Sequence, residues 1–588
     1  MPRPEVDVRS RRVRRLLAIV IAIAALLRVS GLRFLPHWDE YNIVTMALGF
    51  GRGDFNPHFF VYGSLTAYLV FLLYGAMFVV EKLLGSVSSL HDFAVSYFLD
   101  RLPFYFVARF VSVAAGLGAV LLAYLIGKKV AGRKAGLIAA ALSAVLPELV
   151  FRSRLALPDA LLAFLTAACL LALMGVMERP ALKLSIAAGL FCGLAAATKA
   201  LGGLLIVPIL ATHLMRPVVN KRTALLNLSA AFSSVVFAAV GFFVGGPYAV
   251  IDYHKFLSDL MGFQVGMNRA ASVSPGEILG EISRALLWHN LLTPLGIALG
   301  VIGAVLVWRR TSGVGRPLVI WAVVYLAFLP LQHRFQQNWV LPLFPALLVF
   351  IAVAVAAAID RLPKTVVGRV AAMALLAVVL IPPTAGTLGM LIPMLTRPDP
   401  QLAASQWVRA HVPAGTVILL TEDSIPGLMP SEACLRDLAA REGQLTGGQQ
   451  HHEQQLSASV RYRLEALRRF TGPTYWILKR KVEWWKSKEQ DQIATPFPEY
   501  AGELHQDLAW YLSKGVQYAV VRDEERLRYL TAEAEKFPSD YAFYADLERL
   551  GRRVASFRGP TIKGDMQLSI YRFEPPEKAS PGVSKAEK

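Results

Sequence analysis

Apolar runs close to twenty residues long recur along this chain, separated by short loops in which arginine and lysine collect. A run of that length is what an α-helix needs to cross the hydrocarbon layer, at about 1.5 Å per residue. With 588 residues, 55% of them hydrophobic, and a mean hydropathy of +0.46, a soluble single domain is excluded. The net charge of +19 invites a nucleic-acid reading. That reading fails, because the cations gather between spans, as they do in loops retained in the cytoplasm. The runs predict eleven membrane helices, at roughly 16–35, 104–126, 135–150, 158–177, 183–199, 201–215, 223–245, 290–308, 317–332, 339–358 and 368–394.

An N-terminus inside puts every dense basic cluster on the cytoplasmic side, from Lys128, Lys129, Arg133 and Lys134 to Arg361, Lys364 and Arg369. Arg9, Arg11, Arg12, Arg14 and Arg15 precede the first run. No small-residue cleavage site follows it, so that span is expected to stay uncleaved. One segment disturbs the parity. Phe59–Val80 is apolar enough to span, and a single crossing there would flip every later basic loop outside. The expectation is that it lies in the interface, re-enters, or pairs with a second crossing near 85–103. The predicted organisation is a basic cytoplasmic N-terminus (1–15), a transmembrane domain (16–396) whose first external loop (36–103) holds an embedded helix, and an extracytoplasmic α/β domain (397–575). A disordered tail (576–588) follows. Alternating runs at 416–421, 518–522 and 568–572 read as strands, and 402–411 and 504–514 as helices. The Gln-, Gly- and His-rich stretch 443–455 reads as a loop. Cys169 and Cys192 in apolar runs, with Cys434 alone in the tail, imply no disulfide framework.

Ionisable residues at one membrane face are costly to keep and point to function. Asp39 and Glu40 follow the first run, where a carboxylate can deprotonate an acceptor hydroxyl or hold a divalent metal against a phosphate. The turn from Pro147 to Asp159 carries Glu148, Arg152, Arg154 and Asp159 on the predicted outer side. It reads either as an anchor for an anionic headgroup or as an internal Arg154–Asp159 bridge pinning two helices. Lys199 stands between two apolar runs beside glycines. Arg109 leads a span, Arg334 ends one, and Arg28 lies inside the first; one anionic ligand at the outer face accounts for them together. The aromatic and basic run 468–485 reads as a membrane-surface contact or a mixture of core and solvated face, and His451-His452-Glu453 as a weak metal motif. No phosphate-binding glycine loop or dinucleotide fingerprint is present.

The ordered set resembles the GT-C membrane glycosyltransferases that use polyprenyl-phosphate sugars. The similarity is to the family 39/83 group, which includes protein O-mannosyltransferases and lipid A aminoarabinose transferases. The residues that carry it are Asp39-Glu40, Asn56-Pro57-His58-Phe59, Arg109, Ser153-Arg154 with Asp159, Gly193 to Lys199, Gly246 to Asp252, and Arg334 before Leu341 to Pro345. The resemblance implies a GT-C fold, an all-α polytopic membrane domain with an embedded loop helix and a C-terminal extracytoplasmic α/β domain. It implies transfer of a sugar from a polyprenyl-phosphate donor to a lipid, glycan or protein at the outer face of the plasma membrane, with inversion. Asp39 would be the catalytic acid-pair member, supported by Glu40. Arg154, Asp159, Lys199, Arg334, Arg109 and His58 would lie on the donor phosphate. No cofactor is implied beyond the divalent metal, which stays open. Lipid A transferases carry a lysine before two prolines where this chain has Asn56-Pro57-His58, so aminoarabinose is not assigned.

Two other classes compete. A flippase of lipid-linked glycans would also carry phosphate on intramembrane cations, but the chain shows no pair of related halves. A scaffold with an interaction tail leaves the acid pair and the outer arginines unexplained.

Overall fold

The computed structural model describes residues 4–574 apart from 38, 180, 271–273, 291, 311–312, 333–334, 422–426, 443–449, 481–504 and 562–563. Within its helices, residues 4–10, 263–270, 288–289, 438–442 and 450–459 are described by backbone alone. The chain divides into two units: residues 1–90 with 102–395, and residues 91–101 with 396–588.

The described part of the first unit is helical. Its elements are α1 (Pro4–Val29), α2 (Glu40–Gly49), α3 (Ser64–Leu83), then, beyond the short α4 (Leu90–Leu99), α5 (Leu102–Val145), α6 (Pro147–Arg152), α7 (Asp159–Glu178), α8 (Leu182–Thr198), α9 (Ile206–Leu214) and α10 (Lys221–Gly245). Three further helices follow, α11 (Tyr248–Ile251), α12 (Tyr253–Ala270) and α13 (Pro275–Arg284). The unit closes with α14 (Pro294–Arg309), α15 (Arg316–Phe328), α16 (Phe344–Arg361) and α17 (Val366–Thr396). By length and composition, six of the described helices suit a membrane crossing, and four shorter ones are also apolar. Helix α5 is two passes joined at Ala131 and Gly132, where Gly132 takes φ +83°, a left-handed value that favours glycine. The break falls among Lys128, Lys129, Arg133 and Lys134.

Packing separates an inner from an outer layer. Helices α7 and α16 are enclosed almost completely, around Leu165, Leu173, Leu348 and Ile351. Helices α10 and α17 keep most of their surface outward and expose Leu225, Phe232, Val244, Val370 and Ile381. Apolar side chains can cover an outer face only where the solvent is lipid. Helices α8 and α10 touch through small residues: a Cβ on Gly193 would stand 2.0 Å from the Ala238 carbonyl oxygen, so only glycine fits that seam.

Helix α3 is the segment that disturbed the parity. It is long and apolar enough to cross, but its contacts are with one level of the bundle. Gly63, just before it, packs on the carbonyls of Ala197 and Thr198 at the end of α8. Eleven residues later the Tyr74 hydroxyl donates to the Phe104 carbonyl at the start of α5, at 3.1 Å. Both partners lie at the expected outer ends of their helices. Leu72, Val79 and Leu83 of α3 are exposed.

The second unit is an α/β layer structure. It contains α18 (Pro400–His411), β1 (Val417–Thr421), β2 (Met429–Pro430), α19 (Glu432–Glu442), α20 (Gln450–Arg469), β3 (Thr474–Arg480) and α21 (Leu508–Ser513). Then come β4 (Val516–Arg522), α22 (Asp523–Leu530), α23 (Pro538–Leu550), β5 (Arg552–Thr561) and β6 (Gly564–Arg572). The sheet order is β2-β3-β1-β4-β6-β5. Its first four strands are parallel, and β6 and β5 run antiparallel. Alternation along β1 sends Ile418 and Leu420 to a core shared with Ala404 and Val408 of α18. It sends Leu419 to the opposite core with Tyr511, Phe543 and Tyr544. This unit also contains most of α4: His91 Nε2 lies 2.6 Å from Glu465 Oε2, and Asp92 pairs with Arg469, both partners on α20. The three expected strands are β1, β4 and β6; β2, β3 and β5 are additional, with β3 inside the aromatic and basic run 468–485. The loop expected at 443–455 becomes helix from Gln450, since no helix breaker follows Gly448. The 443–449 stretch and the side chains of His451, His452 and Glu453 lie outside the described residues, as do 481–485 of the aromatic and basic run and the tail from 575.

Candidate active site

Asp39 caps the start of α2 and Glu40 is its first residue, so the two carboxylates point in different directions. Glu40 is fully buried. Its Oε1 accepts from Arg109 Nε at 2.8 Å and from the Ala156 amide at 2.7 Å; its Oε2 accepts from Arg109 Nη2 at 2.7 Å and the His37 amide at 2.8 Å. A forked ion pair with two further amides satisfies this carboxylate.

Arg109 spends its remaining nitrogen on the carbonyls of Leu32 and Phe34, at 2.6 and 3.0 Å, and stacks 3.7 Å from the Phe34 ring centroid. Arg154 is turned the same way, donating to Ser30 and Gly31 at 2.7 and 3.2 Å; burial, reinforced by the Arg109 charge, lowers its pKa to about 10. Arg28 donates to the carbonyls of Ala24, Ser143 and Ala144. These three arginines tie down the segment that leaves α1. Where a phosphate was expected, Arg109 donates to the Glu40 carboxylate and to the Leu32 and Phe34 carbonyls, and Arg154 to the Ser30 and Gly31 carbonyls. The alternative Arg154–Asp159 bridge does not form either.

Asp39 faces the other way, with 21% of its side chain exposed. Its Oδ1 accepts from the Tyr62 hydroxyl at 2.9 Å. His37 Nδ1 lies 3.7 Å from Oδ2 and accepts the Asp39 amide at 3.2 Å. Burial raises the Tyr62 pKa well above the usual tyrosine value, and the Asp39 charge adds to it; Asp159 and Arg152 are also within electrostatic reach of Tyr62.

The turn from α6 to α7 completes the cluster. Arg152 Nε donates to Glu148 at 2.7 Å, and its Nη1 lies 3.9 Å from Asp159 Oδ2. Burial acts to lower the Arg152 pKa, but the charges of Glu148 and Asp159 outweigh it and hold the group above its ordinary value. Asp159 Oδ1 accepts from Lys199 Nζ at 2.9 Å and from Asn338 Nδ2 at 3.0 Å. Lys199 ends α8 in an extended conformation, where the chain turns into a 3-10 segment, Ala200–Leu205. Arg152 and Lys199 are 15% and 23% exposed, against 1% for Arg109, so they are cations a ligand can reach.

His58 stands apart. It adopts φ +52°, bonds Asp54 at 2.8 Å, and sits beside Asn56, which donates to Asp252 at 2.9 Å. Arg334 lies outside the described residues. Among the described residues, no three His, Cys, Asp or Glu side chains are grouped to hold a metal ion. The structure thus brings Asp39, Asp159 and Lys199 together and adds Arg152, Tyr62 and Asn338. Arg152 was visible in the same turn as Arg154; Tyr62 and Asn338 carry no local signal.

Residues 75–244 match the family model for dolichyl-phosphate-mannose-protein mannosyltransferase. ArnT from Cupriavidus metallidurans, in the apo state, matches 96% of this chain and 98% of its own, with 14% identity and a TM-score of 0.51. The oligosaccharyltransferase of Archaeoglobus fulgidus matches 96% of this chain and 74% of its own, with 17% identity and a TM-score of 0.49. The S. cerevisiae Pmt1–Pmt2 complex matches 42% of this chain and 34% of its own, with 20% identity and a TM-score of 0.30. No curated protein matches. The fold is the GT-C fold. It is carried by a chain with several helices long and apolar enough to cross a membrane.

Proposed function

We propose that the protein transfers a sugar from a polyprenyl-phosphate carrier to a hydroxyl-bearing lipid, glycan or protein at the outer face of the plasma membrane, with its N-terminus cytoplasmic. The observation that carries this reading is the meeting of Asp39 with Arg152 and Lys199 at one end of the bundle, although they come from three distant segments. The name of the matched family, which specifies a dolichyl-phosphate-mannose donor, supports the carrier class.

The chemistry needs few parts. A sugar on a phosphodiester already has a good leaving group. The acceptor oxygen attacks the anomeric carbon, the bond from that carbon to the phosphate oxygen breaks, and the electron pair leaves with the polyprenyl phosphate. Asp39 takes the acceptor proton. Lys199 and Arg152 hold the charge that grows on the phosphate. Attack from the face opposite the leaving group inverts the anomeric carbon. Asp159 keeps the two cations in place between turnovers.

Transfer by purified protein in liposomes, offered a panel of polyprenyl-phosphate sugars with envelope-lipid, glycan or peptide acceptors, tests this directly. Asp39→Asn should lower the rate about 10²- to 10⁴-fold with the melting temperature unchanged. Equal rates in the two proteins would remove Asp39 as the base. Movement of lipid-linked sugar between leaflets, without transfer, would favour a flippase.

A further inference from the structure

We propose that Tyr62 is a positioning residue for the Asp39 carboxylate and sets the acid limb of the enzyme's pH–rate profile. This rests on the reading of Asp39 as the general base.

Three observations carry it. The Tyr62 hydroxyl donates to Asp39 Oδ1 at 2.9 Å. The backbone that presents Tyr62 is pinned, because a Cβ on Gly63 would stand 2.1 Å from the Ala197 carbonyl oxygen and 2.5 Å from that of Thr198. Those carbonyls end α8 immediately before Lys199, whose ammonium holds Asp159. The pair Tyr62-Gly63 thus joins the proposed base to the turn that carries the proposed phosphate cation. A base and a leaving-group cation must keep a fixed separation across the reacting carbon, and a short rigid segment touching both provides it.

The electrostatic consequence follows from the donor's direction. A hydroxyl that donates to a carboxylate favours the ionised form and lowers its pKa. Removing the donor raises the pKa, so a higher pH is needed to ionise the base. His37 Nδ1 acts as an acceptor, and the Glu40 carboxylate is turned to Arg109. Arg152 acts on Asp39 through its charge while its nearest partners are Glu148 and Asp159, and Asp159 is occupied by Lys199 and Asn338. Tyr62 itself stays protonated across the working range, since burial and the Asp39 charge raise its pKa.

The test is kcat/KM against pH for wild type, Tyr62→Phe and Asp39→Asn in the liposome transfer assay. Tyr62→Phe should move the acid limb to higher pH by about one unit, with rates converging on wild type above it. Asp39→Asn should stay about 10²- to 10⁴-fold slower than wild type at every pH. An unmoved limb in Tyr62→Phe, with Asp39→Asn slowed in this way, overturns the role of Tyr62 and leaves the base intact. Asp39→Asn transferring at the wild-type rate overturns the base, and Tyr62 with it. If Tyr62→Phe does not fold, 3-fluorotyrosine at position 62, a stronger donor of nearly the same shape, should move the limb to lower pH, and an unmoved limb there overturns the proposal equally.

Discussion

Asp39 and Glu40 are adjacent acids with opposite fates. Helical residues one apart point about 100° from each other, so one carboxylate of such a pair can be buried while the other stays open. Glu40 and Arg109 make a fully buried ion pair. Removing one partner of such a pair leaves a charge with no compensation, at about 3–5 kcal/mol. Arg109→Ala should therefore lower the thermal midpoint sharply or abolish folding, read by melting in detergent. Lys199→Ala should not, because Asp159 keeps Asn338 and Arg152, and the ammonium is partly exposed. Its effect should appear as a lower kcat for transfer, because the charge it holds grows as the phosphate leaves. The pair of acids was legible in the sequence, and so were Lys199 and Asp159. Which arginine of Arg152 and Arg154 faces the cluster was not, because the choice depends on the carbonyls at the end of α1, more than a hundred residues away.

Helix α3 shows what an element's own sequence leaves open. A helix of twenty mostly apolar residues suits a crossing and an interfacial position equally. The strands of the second unit were easier, since alternation along β1, β4 and β6 survives in a sheet covered on both faces. Tyr62 had no such pattern, standing singly before a helix. Its position depends on Gly63. Gly63→Ala keeps an ordinary backbone conformation, φ −65°, but drives a methyl into the Ala197 and Thr198 carbonyls, so the start of α3 must retreat from α8. A displacement of about 1 Å between catalytic groups is enough for a loss near 10²-fold. Transfer by Gly63→Ala should fall mainly in kcat, with α3 still helical by circular dichroism. A fall confined to KM would count against the idea that α3 positions the base.

At the scale of the whole molecule the question is parity. Most of α4 belongs to the unit built by the C-terminal domain, through His91 with Glu465 and Asp92 with Arg469. Residues 91–101 and the C-terminal domain must then share one side of the membrane, so the chain makes an even number of passes between them. That condition holds whether or not α3 crosses; α3 decides only which side it is. If α3 lies along the outer face, Ser88 and the C-terminal domain are outside and the cluster Lys128 to Lys134 is inside, as basic loops prefer. If α3 crosses, all of these reverse. Cysteine placed at Ser88 or at Arg133, with Cys434 changed to serine, distinguishes the two in sealed cells. A membrane-impermeant maleimide should label Ser88→Cys from outside and leave Arg133→Cys untouched until the membrane is opened. The reverse pattern would mean that α3 crosses, and the face on which Asp39 meets Lys199 would have to be sought with the opposite end of every later helix.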